Sequence, residues 1–170
     1  MILGMSVSTF TAVHTILSLI GIFTGLVALH GLLGSRSPGS WTAIFLVTTV
    51  LTSVTGYFFP RDQILPSHIV GALSLVLLAI AIGALYGYRL ARASRWIYVG
   101  TAVAALYLNV FVAIVQAFLK VPALNALAPT QKEVPFVAAQ AIALIAFVVL
   151  GILAVRRFHP AIDTPVPKPA

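Results

Sequence analysis

The chain contains no cysteine and, among its 170 residues, only three acidic ones: Asp62, Glu133 and Asp163. The first absence excludes disulfides, thiolate-held iron–sulfur clusters and c-type haem attachment. The second leaves every long apolar run without a carboxylate. That removes the usual centre of a proton-coupled carrier and makes acid–base or metal-assisted hydrolysis hard to assemble. No HExxH, DxxD, GxSxG or P-loop run occurs. Charged residues make up 8% of the chain against 61% hydrophobic ones, too few to keep the surface of a water-soluble domain wet.

What fills the chain is five apolar runs, Phe10 to Leu33, Trp41 to Phe59, Pro66 to Tyr88, Trp96 to Leu119 and Val134 to Val155. Each is close to the roughly 20 residues that a helix needs to cross a hydrocarbon core. The expected fold is all-α: a polytopic bundle of five transmembrane helices over residues 1–156, with spans near 10–33, 41–59, 66–88, 96–119 and 134–155. A proline-rich tail, 157–170, follows. Pro160, Pro165, Pro167 and Pro169 favour an extended, exposed segment there. Met1 to Thr9 lack Lys and Arg, and no small-residue cleavage site follows the first run, so it reads as a true span and not as a signal peptide.

The net charge of +7 is distributed at the ends of the runs. Arg36, Arg89, Arg92, Arg95, Arg156, Arg157 and Lys168 fall on one face of a five-span topology, while Arg61, Lys120 and Lys132 fall on the other. The positive-inside rule then places the N-terminus outside and the tail in the cytoplasm, in a bacterial-type inner membrane. The expected partners are the bilayer, whose anionic headgroups the basic clusters meet, and another membrane protein or a second copy of the chain. Nucleic acid is not expected, because no soluble face exists to hold it.

Punctuation between the runs is consistent with this topology. Ser40 is placed to cap the second helix beside Trp41. Pro60 ends that helix, Pro66 opens the third, and Trp96 and Tyr98 begin the fourth at headgroup depth. Between Pro122 and Pro129 the apolar residues Leu124, Leu127 and Ala128 predict a short helix lying on the membrane. Thr130 and Glu133 have capping-box spacing for the last span, although Pro135 offers a second starting point. Ala28-Leu29-His30-Gly31 before Trp41 is echoed by Ala84-Leu85-Tyr86-Gly87 before Trp96, a similarity that duplication would give but that an Ala/Leu/Gly-rich composition explains slightly better.

The polar residues inside the spans form faces. His14, Ser18, Gly21 and Gly25 share one side of the first helix, and Thr49 and Ser53 one side of the second. Tyr98, Ala102, Ala105, Asn109, Gln116 and Lys120 form a stripe along the fourth. Amides at membrane depth need partners, so Asn109 and Gln116 are expected to face the bundle, with Gln140 of the last span as partner. These residues serve either close helix packing and interhelical hydrogen bonds or a polar pocket.

Histidines raise the question of haem. His14 and His30 are rotated about 160° from each other, so two haems cannot be ligated along the first helix. His14 and His68 lie at matching depth on parallel helices, with room at Gly71, Ala72 and Ala79, and could ligate a single b-type haem. The leading expectation is a non-catalytic structural, assembly or accessory subunit with no cofactor. The alternatives are an electron-transfer protein with one haem b, and a conduit or binder for a small neutral solute.

Overall fold

The computed structural model of the chain describes residues 1–59 and 66–160. Pro60 and Arg61 of the connection between the second and third spans, and most of the proline-rich tail, lie outside the described residues. Among the described residues five helical segments are long and apolar enough to cross a membrane: α1 (Val7–Leu33), α2 (Ser40–Thr55) with its continuation to Phe58, α3 (Pro66–Ile82) with its continuation to Gly87, α4 (Ser94–Lys120) and, after the short α5 (Pro122–Leu127), α6 (Val134–Arg157). No β-strand occurs among the described residues.

The ends of these helices follow from local chemistry. Ser6 caps α1, its hydroxyl accepting from the Thr9 amide at 3.1 Å. At α2 the cap is Gly39, with no side-chain bond, and Ser40 is the first helical residue. The cap expected at Ser40 is therefore displaced by one residue, because the glycine adopts the extended entry conformation itself. A 3₁₀ turn, Gly56–Phe58, closes α2, and a π turn, Gly83–Gly87, prolongs α3. Pro122 sits in the first turn of α5, where its missing amide costs nothing. Glu133 caps the start of α6, and Pro135 occupies its first turn. The Glu133 carboxylate turns back to accept from the Thr130 amide and hydroxyl, at 3.3 and 2.9 Å.

α4 is the central helix. It packs on α3 and α6 and touches α1, while α1 and α2 form the other tightly packed pair. The core runs along α4 through Tyr98, Val99, Ala102, Ala105 and Leu106, against Leu29, Phe45, Leu78 and Phe147. Close approach is made possible by Gly25: a Cβ there would lie 2.5 Å from Leu106 Cδ1 and 2.8 Å from the Phe45 ring. The outward surface is apolar, with Ile16, Phe23, Val47, Ile69, Val76, Ile145 and Val149 all exposed. Such a surface would aggregate in water and is wetted by acyl chains in a bilayer.

Beyond α6 the chain turns back under the bundle. Phe158 is fully buried, its ring 6.2 Å from that of Tyr98, and the His159 amide donates to the Ser35 hydroxyl at 2.8 Å.

Candidate functional site

One end of the bundle is not filled. α1, α2, α3 and α4 splay around a cavity of about 560 Å³, within the range of small-molecule sites. Thr11, Ser67, Lys120 and Val121 line it at the end of the bundle where α1 and α3 begin and α4 ends. Its floor lies at Ser18, Thr52, Ser74 and Asn109. Asn109 is eleven residues below Lys120 on α4, a depth of about 16 Å at 1.5 Å per residue.

Below that floor the helices close. Gly21 of α1 lets the backbone approach so tightly that a Cβ would stand 3.1 to 3.2 Å from the Thr49 and Thr48 hydroxyls and from Asn109 Nδ2. Asn109 donates through Nδ2 to the Thr49 hydroxyl at 3.2 Å. One turn further in, Leu106 and Phe45 fill the space over Gly25. The void left among these side chains, about 10 Å³, is at the limit of what holds one water. The cavity is blind.

The histidines stand near its mouth. His14 Nδ1 lies 2.8 Å from the Thr55 hydroxyl, and the ring meets Phe59 edge-on at 5.2 Å. Thr55 Oγ1 is itself 2.7 Å from the Leu51 carbonyl oxygen, an approach of two oxygens that requires the hydroxyl proton between them. With its one proton committed, the hydroxyl can only accept from His14. The neutral ring therefore carries its proton on Nδ1 and keeps the Nε2 lone pair for another partner. His68 is half-buried on the same cavity, its ring 5.4 Å from that of Tyr57, whose hydroxyl donates to the His68 carbonyl at 2.7 Å. Gly71 makes room for that tyrosine; a Cβ there would lie 3.3 Å from its oxygen.

The sequence-derived site residues thus divide. His14, Ser18, Ser53, His68, Asn109 and Gln116 all line the cavity. Thr49 and Gly21 form the seal directly beneath it, and Gly25 lies in the packed core. Gln140 is elsewhere, and its expected pairing with Asn109 or Gln116 is corrected: its Nε2 donates to the Phe111 carbonyl at 3.2 Å. α6 packs on a different side of α4 from the cavity, so its glutamine meets backbone, while Asn109 turns to α2.

Tyr57, Thr52 and Ser74 are cavity residues that sequence reasoning did not single out. Tyr57 sits in the 3₁₀ turn where helical periodicity fails. Thr52 stood in a helix with many hydroxyls. It is buried, and its hydroxyl oxygen has no hydrogen-bond partner, unlike those of Thr24, Thr48 and Thr55, which return to their own helix.

Fold and site together define a polytopic helical membrane protein with a cavity near one end of the bundle, largely apolar and set with hydroxyl, amide and imidazole groups. Comparison with known proteins finds no matching family model, no matching curated protein and no matching solved structure.

Proposed function

We propose that the chain is a small inner-membrane binding protein, with an outer N-terminus, acting as an accessory subunit without chemistry of its own. The observation that carries this is the blind cavity. A conduit needs a second opening, and the seal at Gly21, Thr49 and Asn109 with Leu106 and Phe45 beneath it favours a binder over a path. The lining includes no acidic side chain among the described residues, a single cation at the mouth, and hydroxyl, amide and imidazole groups above an apolar wall of Leu19, Val70, Leu108 and Val112. Such a lining suits a small neutral ligand with a hydrogen-bonding head and an apolar flank, of the kind a quinone ring presents.

The test is thermal unfolding of the detergent-purified protein with decylubiquinone and, separately, with a polyol. A midpoint raised by one of these in wild type, and unmoved in a folded Ser18→Phe variant that fills the cavity, supports the reading. No shift with either class, together with no small molecule released on denaturing the protein as purified, ends it.

A haem reading is favoured by one specific arrangement. His14 and His68 line the same cavity, and the Nδ1 contact to Thr55 leaves His14 Nε2 as the ligating nitrogen, the usual division of labour in a metal-bound imidazole. It requires a Soret band that His14→Ala and His68→Ala weaken and His159→Ala does not. Colourless protein from haem-replete cells removes it.

The accessory role rests on α6, of whose membrane-crossing window only 6% is buried inside the bundle. Its exposed Ile142, Ile145, Val149 and Ile152 are free for lipid, a partner's helix or a second copy.

A further inference from the structure

A second concavity lies at the opposite end of the bundle from the cavity. Ser37 and Pro38 of the α1–α2 turn, Arg89, Leu90, Arg92 and Arg95 of the α3–α4 connection, and Pro160 beyond α6 enclose about 350 Å³. Three guanidinium groups border one small space, and no acidic side chain lines it among the described residues. Arginine does not relieve such crowding by losing a proton, and this concentration of positive charge, with Arg89 and Arg92 open to solvent and Arg95 half-buried, favours an anion in the space.

Two further observations point to an occupant. Arg95 Nε is buried with no hydrogen-bond partner, while the same guanidinium lies 5.7 Å over the Trp96 ring, held in place by a contact that uses none of its donors. Arg89, Leu90 and Arg92 all adopt left-handed backbone, with φ of 46°, 59° and 51°. None is a glycine, and a connection that needed only to turn would use one. The turn is anchored by the Leu90 amide donating to the Ala84 carbonyl near the start of the π turn, and by the Ala91 amide donating to the Tyr88 carbonyl.

We propose that this pocket binds a phosphate group, carried by an anionic lipid headgroup or by a free phosphate. Planar guanidinium forks match the oxygens of a tetrahedral phosphate in pairs, and three of them exceed what a halide would satisfy. Trp96 sets the pocket at headgroup depth, where lipid phosphates lie, on the face carrying most of the basic residues. The outer cavity plays no part in this assignment.

The experiment uses the full chain, delipidated in detergent, titrated by calorimetry with dioctanoyl phosphatidylglycerol, inorganic phosphate and dioctanoyl phosphatidylcholine. The expected result is saturable one-to-one binding of phosphatidylglycerol or inorganic phosphate, weakened at least tenfold by Arg95→Gln and by Arg92→Gln. Arg36→Gln, which removes the same charge from the same face outside the pocket, leaves it unchanged. Binding of the lipid alone assigns the headgroup; binding of inorganic phosphate with equal strength assigns the free ion. Arg95→Lys keeps the charge and loses the fork, so it also weakens binding if Arg95→Gln proves unstable. Non-saturating association, equal binding of phosphatidylcholine, or a loss with Arg36→Gln equal to that with Arg95→Gln overturns the site in favour of diffuse attraction to a basic face.

Discussion

His14 Nδ1 and the Thr55 hydroxyl, 41 residues apart in sequence, are joined at 2.8 Å across the α1–α2 interface, and the direction of that bond is fixed by a third atom, the Leu51 carbonyl. The histidine is thereby held in one tautomer with Nε2 unprotonated when neutral. Nitrogen-15 spectra of selectively labelled protein should show the His14 proton on Nδ1. In Thr55→Val that preference should vanish, with a stability loss of about 0.6 kcal/mol, typical of one interhelical bond in a membrane protein.

Asn109 is expected to matter more for the cavity than for the fold. Asn109→Leu removes its bond to Thr49 and should destabilise by about 0.6 kcal/mol, with about 1.7 kcal/mol as the ceiling. Ligand-dependent stabilisation should be lost in the same variant. Thermal unfolding in detergent, with and without the ligand, reads both effects.

Gly25→Ala should cost far more than its size suggests. The added methyl meets Leu106 and the ring of Phe45, both almost completely buried, and overpacking of this kind costs about 1–3 kcal/mol. Gly31→Ala, where no atom lies within 4 Å, is the matched control and should be neutral or slightly stabilising. Equal unfolding midpoints for the two variants would show that α1 does not approach α2 and α4 as described.

The Glu133 carboxyl lies outside the spans and titrates below its ordinary value. Desolvation acts to raise it, but is outweighed by hydrogen bonds from its own amide, from the Thr130 hydroxyl and amide and from the Lys132 amide. A carboxyl depressed on folding contributes stability that is present above its unfolded value and lost as pH falls through the folded one. Wild type should therefore exceed Glu133→Gln in stability at pH 7, and the difference should disappear as pH falls through the lowered folded value.

Orientation is checked with reporters. A fusion active only in the cytoplasm should give signal after Val155 and none within the connection from Lys120 to Glu133. The reverse pattern would invert the assignment of the cavity to the outer face.

The five spans were legible because membrane helices are written as composition: long apolar runs need no partner to be recognised. The faces of α1 and α4 were legible for a similar reason, since 3.6-residue periodicity puts His14 with Ser18 and Asn109 with Gln116 whatever they touch. Partners were not. Gln140 shares a helix face with Glu133 and Gly151, but periodicity within α6 does not say which side of α4 that helix covers. Tyr57 was hidden by the change from α to 3₁₀ geometry, and the convergence of Arg89, Arg92 and Arg95 by left-handed backbone at residues that do not favour it. Topology rules explain why those arginines stand at that end of the protein; they do not say that the three meet.

Phe158 and His159 come after the last span, yet they cover Tyr98 of α4 and engage Ser35 between the first two helices. Synthesis runs from the N-terminus, so these two residues are added after all five spans have been made. The end of the bundle that holds Tyr98 is thus completed from its C-terminal side, as a latch, and the order of synthesis leaves Tyr98 uncovered until then. A chain stopped after Arg157 would carry all five spans into the bilayer and still lack the residue that closes them together.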